Sequence, residues 1–351
     1  MKNIGFVSWW FNRGQAVVTR YIKSIFDEAG YNTFVLVRNA NHQSTKGDWA
    51  GDNITIGSRD KNIDPAVYIK WAKDNNIEVC FFDQNYQFKA IKALRSTGVK
   101  TIGRFVWEQF GAKHVIRAKS SFDLIYSLTN CEHKRYLNSL KINSQFVRWG
   151  IHPSLLEYDI EKRSDGPIWF YYPAGFCTQR KAVNKTLQAF SSVKNKDIRL
   201  LVSSQKRIRP INDSRIKIHT GNITTHQEFH KLMHSCDVCI IPSRWEGLGL
   251  AFVEAMAFDM PIIATSHPPM NEYIIPGETG YLIDCYRKER IDSGILAANF
   301  STSDFVRKVS RIADRQVIDK MSKNTRNILH KRYDWNNTVE DYKDLIRKVC
   351  Q

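Results

Sequence analysis

The chain has 351 residues, which exceeds the usual size of one hydrophobic core and predicts two domains. Hydrophobic residues make up 42% and charged residues 25%, a balance that excludes a chain dominated by disorder. Lysine and arginine number 52 against 35 acidic residues, so the net charge is +17. An anionic partner is expected: a phosphate-bearing ligand, an anionic lipid surface or nucleic acid.

No run of residues approaches the roughly 18 apolar positions that a membrane-spanning helix needs. Residues 1–15 lack the apolar core of a signal peptide, so we expect a cytoplasmic protein, either free or peripheral at the inner face of the membrane. The seven cysteines are scattered, which predicts reduced thiols. Cys236 and Cys239 are expected to be small buried residues rather than metal ligands.

Strands and helices alternate along the first half of the chain. Residues 3–9 are predicted to form the first strand, and residues 15–30 the first helix, which Gly30 ends. Apolar runs of 5–7 residues then alternate with helical segments, a pattern typical of a parallel sheet with helices on both faces. Residues 1–150 are therefore predicted to form a Rossmann-like domain.

The second half repeats this pattern over residues 167–334. Residues 151–166 are polar and contain Pro153, which predicts a linker. Residues 335–351 are predicted to form a C-terminal helix that packs back on the N-terminal domain. Open α/β sheets bind ligands at the carboxyl ends of their strands, so we expect the ligand in a cleft between the two domains.

The stretch PSRWEGLGLAFVEAMA places Glu246 and Glu254 eight positions apart. Gly247 and Gly249 let backbone amides approach a ligand closely, and a helix is predicted to begin near Leu250. The N-terminus of that helix favours a diphosphate. The carboxylates are suited to accept hydroxyl groups of two polyols, such as the ribose and the hexose of a nucleotide sugar.

This stretch, together with NEYIIPGETGYLI, resembles the donor-site signature of retaining GT-B glycosyltransferases of the GT4 family, glycosyl transferases group 1. YYPAGFCTQRKAVNKTLQAF resembles the phosphate-binding strand, loop and helix of that family. The N-terminal half matches only in layout and in FNRGQAVVTRYI. The resemblance implies an α/β GT-B fold, in which two Rossmann-like doubly wound domains face a central cleft. The N-terminal domain would bind the acceptor and the C-terminal domain the nucleotide sugar.

The resemblance also implies roles for individual residues. Glu246 would bind hydroxyls of the transferred sugar, Glu254 would hold the ribose, and Lys181 would neutralise the diphosphate. The remaining donor contacts implied are Gly14 of the N-terminal loop and the amides of Gly247, Leu248 and Gly249.

The sequence departs from the family at two positions. Phe176 stands where the family has a phosphate-binding arginine, and Arg180 or Arg207 is expected to replace it. Glu108 lies where many relatives have a histidine; it is a candidate sugar or acceptor contact, with an exposed surface glutamate as the alternative. Trp10 is a candidate sugar-stacking residue, with a partly buried position in the core as the alternative.

The expected activity is that of a retaining hexosyltransferase that needs neither a metal nor a cofactor. The donor would be a UDP- or GDP-hexose, and the acceptor a glycan or glycolipid of a cell-surface polysaccharide or lipopolysaccharide. The basic segment 89–100 has an apolar stripe formed by Ile91 and Leu94, which suits an anionic membrane. The alternative is an ordinary amphipathic helix packed on the sheet.

Other functions stay open at this point. The charge also fits a glycosyltransferase that acts on modified DNA bases, a second choice. A nucleotide-sugar epimerase on the same fold, or a nucleic-acid-binding protein without activity, would share parts of the pattern. His226, His230 and His234 recur every four residues and suggest either a zinc site or, as we expect, an exposed helix face.

Overall fold

The computed structural model describes residues 2–157, 165–221 and 225–351, without the side chains at positions 48, 226, 287 and 288. The chain divides into two compact units. The first unit comprises Met1–Trp149 and Asn336–Gln351, and the second comprises Gly150–Trp335. Residues 151–157 of the predicted linker belong to the second unit, and its residues 158–164 lie outside the described part.

The first unit contains, in its described residues, a seven-stranded sheet in which every neighbouring pair is parallel. Its strands are β1 (Asn3–Ser8), β2 (Asn32–Val37), β3 (Ile54–Ile56), β4 (Val79–Asp83), β5 (Lys100–Arg104), β6 (Leu124–Ser127) and β7 (Ser144–Phe146). Its helices up to this point are α1 (Gly14–Glu28), α2 (Pro65–Asp74), α3 (Phe88–Arg95), α4 (Val115–Ser121) and α5 (Asn130–Asn138). The strand order is β3-β2-β1-β4-β5-β6-β7.

The second unit contains a six-stranded parallel sheet among its described residues, in the order β10-β9-β8-β11-β12-β13. Its strands are β8 (Ile168–Gly175), β9 (Ile198–Ser204), β10 (Ile216–Thr220), β11 (Val238–Ile241), β12 (Ile262–Thr265) and β13 (Gly280–Ile283). An antiparallel hairpin follows, made of β14 (Cys285–Arg290) and β15 (Leu296–Phe300). The helices are α6 (Val183–Ser191), α7 (His226–His234), α8 (Leu250–Ala257), α9 (Thr302–Ile312), α10 (Arg315–Asn324) and α11 (His330–Arg332).

The final helix, α12 (Trp335–Cys350), packs in the first unit. The ring of Tyr342 is fully buried, with its centroid 6.3 Å from Phe81 and 5.5 Å from Tyr126. At its edge, Arg148 Nη2 lies 2.7 Å from Asp341 Oδ1. The burial of Tyr342 among these aromatic rings therefore stabilises the packing of α12 on the sheet of the first unit.

Both sheets reverse their strand order next to their first strand, between β1 and β4 and between β8 and β11. The predicted α/β class with two doubly wound parallel sheets is confirmed. The carboxyl ends of the strands that flank a reversal are where such sheets leave room for a ligand. In the second unit this point is bordered by the loops that follow β8 and β11.

The apolar stripe of α3 faces the protein interior. Ile91 and Leu94 are fully buried, while Lys89 and Lys92 are exposed. The interpretation of this segment as an ordinary amphipathic helix is therefore correct, and its apolar side chains are not available to a membrane. No helix in the described ranges combines the length and the apolar character needed to cross a membrane.

Candidate functional site

The site begins where β11 ends, at the turn that leads into α8. Gly249 adopts a φ of +75°, and a Cβ atom there would lie 3.0 Å from Cδ2 of Phe252. Both observations favour glycine at this position. The hydroxyl of Tyr273 donates to the carbonyl of Leu248, which fixes the turn from the other side. The conformation of the turn therefore sets the position of Glu246 relative to the start of α8.

Glu246 lies at the centre of a buried ion cluster. Its Oε1 accepts from Nζ of Lys181 and from Oγ of Ser243, each at 2.7 Å. Its Oε2 accepts from Nη1 of Arg180, also at 2.7 Å. Lys181 is only 7% exposed, and the Arg180 side chain is 29% exposed. Two cations therefore share one carboxylate, and the cluster carries a net charge of +1.

The charge of Glu246 is fixed by these neighbours. Burial alone would raise the pKa of Glu246, but the charges of Arg180 and Lys181 and the hydrogen bonds from Lys181 and Ser243 lower it to about 2. The carboxylate is therefore ionised at any ordinary pH. A fixed, ionised carboxylate with spare lone pairs is a good acceptor for ligand hydroxyls.

The loop after β8 brings the two cations to Glu246. Gly175 ends the strand with a φ of +53°, and a single 3₁₀ turn, Gln179–Lys181, follows. The hydroxyl of Tyr172 donates to the Lys181 carbonyl, and the Arg244 N–H donates to the Arg180 carbonyl at 2.8 Å. Strand β8 therefore positions this loop, and the loop after β11 is tied to it through the backbone.

Glu254 is in a different environment, one turn inside α8. It is half-buried, and it accepts no hydrogen bond from any residue in the described ranges. Burial raises its pKa to about 7, and the charge of Lys181 opposes that rise. The two glutamates that look alike in the sequence thus differ: Glu246 is paired and ionised, whereas Glu254 titrates near neutral pH.

Of the two arginines expected to replace the missing one, the structure brings Arg180 to Glu246 and not Arg207. Phe176 is 40% exposed, and Arg180 makes the contact to Glu246. Arg207 is exposed in the loop after β9, where it lines a cavity together with Arg244 instead of joining the cluster.

The remaining candidate residues, Gly14, Glu108 and Trp10, lie in the first unit. Gly14 is exposed and is the first residue of α1, directly after the loop that follows β1. Glu108 is half-buried in the segment after β5. Trp10 is only 3% exposed; its Nε1 donates to the Trp49 carbonyl at 2.8 Å, and the two rings meet edge to face. This packing leaves the Trp10 ring little free face for a sugar.

Two residues of the site were missed at the sequence level, although both stand in the quoted motif. Ser243 donates to the Glu246 carboxylate, and its position three residues before that glutamate is the signal that could have found it. Arg244 is buried and connects the cluster to the hairpin through an ion pair with Glu289, at 2.6 Å. No pattern in the sequence indicates that pairing, because the two residues are 45 positions apart.

The expectation of an exposed histidine face on α7 is wrong. His230 is fully buried, its ring lies 5.0 Å from that of Phe258, and its Nε2 lies 3.2 Å from the Ser154 carbonyl oxygen. The side chain of His226 lies outside the described residues. Within the described ranges, no group of three or more His, Cys, Asp or Glu side chains is placed to hold a metal ion.

Comparison with known proteins finds a family match in the second half of the chain. Residues 160–326 match the family of glycosyl transferases group 1. Over 114 residues, the chain is 29% identical to an Escherichia coli UDP-Gal:alpha-D-GlcNAc-diphosphoundecaprenol alpha-1,3-galactosyltransferase. This match covers 32% of the chain and 26% of that relative, so the chain spans about a quarter of the relative's length.

Solved structures resemble the chain over its whole length. A glycosyltransferase from Rickettsia africae superposes with a TM-score of 0.76 at 14% identity, covering 100% of this chain and 99% of the other. Anabaena HepE in complex with UDP and glucose superposes with a TM-score of 0.73 at 11% identity, covering 100% of both chains. These likenesses confirm the predicted GT-B fold class.

Proposed function

We propose that this chain, whose residues 160–326 match the glycosyl transferases group 1 family, moves a hexose from a nucleotide-diphosphate sugar to a hydroxyl group of a glycan or glycolipid. The observation that carries the proposal is the buried cluster in which Lys181 and Arg180 share the carboxylate of Glu246. It supports the proposal because two cations suited to a diphosphate lie beside a carboxylate suited to accept sugar hydroxyls.

The two cations suit the leaving group. When the bond between C1 of the sugar and the diphosphate oxygen breaks, negative charge grows on the diphosphate. Lys181 and Arg180 are cationic hydrogen-bond donors with three and five N–H groups, and each of them donates to Glu246. The net positive cluster and the amides of residues 247–249 would stabilise the departing diphosphate electrostatically.

The two glutamates suit the two sugars of the donor. Glu246 is ionised and held by three donors, so its position is set before the hexose arrives. Glu254 lies one helical turn further on, with its carboxylate unengaged by the described residues. We propose that Glu246 accepts hydroxyls of the transferred hexose and that Glu254 accepts those of the ribose.

The reaction is proposed to retain the anomeric configuration and to need neither metal nor cofactor. The acceptor hydroxyl oxygen would form the new bond to C1 on the face that the diphosphate leaves, and the leaving phosphate would take the hydroxyl proton. The first unit, with Glu108, would hold the acceptor. The lipid-linked sugar named for the Escherichia coli relative supports a glycolipid as the acceptor class.

The test is the release of nucleoside diphosphate from a panel of UDP- and GDP-hexoses, with lipid-linked glycans as acceptors. We expect the release of nucleoside diphosphate to depend on the acceptor. With an α-linked donor, we expect NMR to show an α-linked product. Conversion of the donor to an epimer without release would identify an epimerase. An inverted product would exclude the retaining mechanism, and no turnover with any donor would contradict the proposal.

A further inference from the structure

A second basic site lies in the same unit as the ion cluster. A cavity of about 550 Å³ opens between the loop after β8, the loop after β9 and the hairpin. We call it the basic cavity; its cationic lining consists of Lys185, Arg207, Arg209 and Arg244. None of the described lining residues is acidic, and Lys181, Glu246 and Glu254 are not among them.

Arg244 is the buried anchor of this cavity. It is only 7% exposed, and its Nη2 lies 2.6 Å from Oε2 of Glu289 in the hairpin. Its Nε–H has no hydrogen-bond acceptor in the described part of the chain. A buried guanidinium with an unpaired donor is unfavourable, and because Arg244 lines the cavity, an oxyanion bound there would lie beside its positive charge.

The partner of Arg244 can be displaced at low cost. The Glu289 side chain is 61% exposed, so water would solvate its carboxylate once it moved away. The other lining groups that are polar are neutral: Thr178, Gln179, Asn184 and Asn299. Neutral amides and hydroxyls next to a cationic patch suit a ligand that carries both a phosphate and hydroxyl groups.

We propose that the basic cavity binds the phosphoryl group of a small ligand other than the sugar donor, with a sugar phosphate as the chemical class that fits. The volume is within the range of small-molecule sites. That this ligand differs from the sugar donor rests on the proposed function, in which the donor binds at the Lys181–Glu246 cluster. A ligand bound in the basic cavity would affect the Lys181–Glu246 cluster, because the Arg244 N–H donates to the Arg180 carbonyl and Glu246 lies two residues after Arg244.

The test is a calorimetric titration of inorganic pyrophosphate into the full chain with the substitutions Lys181→Met and Glu246→Gln. The ion cluster then loses Lys181 and Glu246 but keeps Arg180, so the part of the binding that depends on Arg209 and Arg244 reports on the basic cavity. We expect binding in this background, and at least about tenfold weaker binding when Arg209→Gln or Arg244→Gln is added, since each removes a charge-assisted hydrogen bond. Lys196→Gln is the control, because it removes one exposed charge at the amino end of β9.

The outcomes separate the two sites. No binding in the Lys181→Met/Glu246→Gln chain would show that pyrophosphate uses only the donor cluster, and would overturn the proposal. Unchanged binding with both Arg209→Gln and Arg244→Gln would overturn it as well. Arg209 is exposed, so its variant is expected to fold even if that of Arg244 does not. A chain that lacks transferase activity but binds pyrophosphate in the cavity would contradict only the proposed function.

Discussion

Replacing Glu246 by glutamine is expected to destabilise the second unit as well as to abolish sugar transfer. The substitution keeps the shape of the side chain but removes the negative charge that Lys181 and Arg180 share. Lys181 would then keep a positive charge at a site where it is only 7% exposed. Leaving one member of a buried ion pair without its partner is among the most destabilising changes a protein undergoes.

The size of the effect follows from the pKa of Glu246. The pKa falls from 4.5 to about 2 on folding, a difference that corresponds to about 3 kcal/mol. Because the folded pKa is the lower one, this stabilisation is fully present above pH 4.5 and is lost as the pH falls towards 2. The glutamine variant should lack it at every pH. For a unit of this size, about 3 kcal/mol lowers Tm by roughly 6–12 °C.

The assay is urea unfolding of the wild type, Glu246→Gln, Lys181→Met and the double variant at pH 7. Each single variant should lose about 3 kcal/mol, whereas the double variant should lose clearly less than the sum, because neither buried charge remains. Repeating the series at pH 3 should shrink the difference between wild type and Glu246→Gln. Additive losses, or single losses below about 0.5 kcal/mol, would refute the account of the cluster.

Three further outcomes are expected. The wild type should lose stability as the pH rises from 4.5 to about 7, because burial raises the folded pKa of both Glu254 and Glu132 to about 7. Glu254→Gln should remove part of this loss in urea titrations, and an unchanged profile would contradict the assignment. Gly249→Ala should lower the free energy of unfolding by about 1–2 kcal/mol. Gly175→Ala should lower it less, because Gly175 also has a positive φ but no atom lies within 4 Å of the added Cβ. Equal losses would argue against crowding by Phe252. Transfer should persist in excess EDTA, and its recovery only on adding Mg²⁺ or Mn²⁺ would disprove metal independence.

The parallel sheets could be predicted because their strands are apolar on both faces. Strands such as β4 and β11 are completely buried and stand out as short hydrophobic runs. The hairpin could not be found in this way. The sequence of β14, CYRKER, is mostly charged, and among the strands of the described residues it pairs only with β15. The contact between the hairpin and the site appears only in the structure, where Glu289 of the hairpin forms an ion pair with Arg244.

The candidate site was predictable in its composition but not in its pairing. The glycine turn and helix start around Glu246 and Glu254 leave a local pattern that predicts a donor site, whereas the role of Lys181 is implied by the family resemblance. The sequence assigned Glu246 to a sugar and Lys181 to a phosphate, yet the two side chains bond each other. Electrostatic pairing across 65 positions depends on how two loops meet, which no local pattern records.

The central claim is that the Lys181–Arg180–Glu246 cluster binds the diphosphate end of a sugar nucleotide. The most direct measurement is a thermal-shift titration of UDP, GDP and ADP into the wild type and the Lys181→Met/Glu246→Gln variant. A nucleotide at about 100 times its Kd should stabilise the wild type by roughly 2.7 kcal/mol and raise its Tm by several degrees. The account predicts that at least one nucleotide does so and that the shift is clearly smaller in the variant. Equal shifts in both proteins, or no shift in the wild type with any of the three, would contradict it.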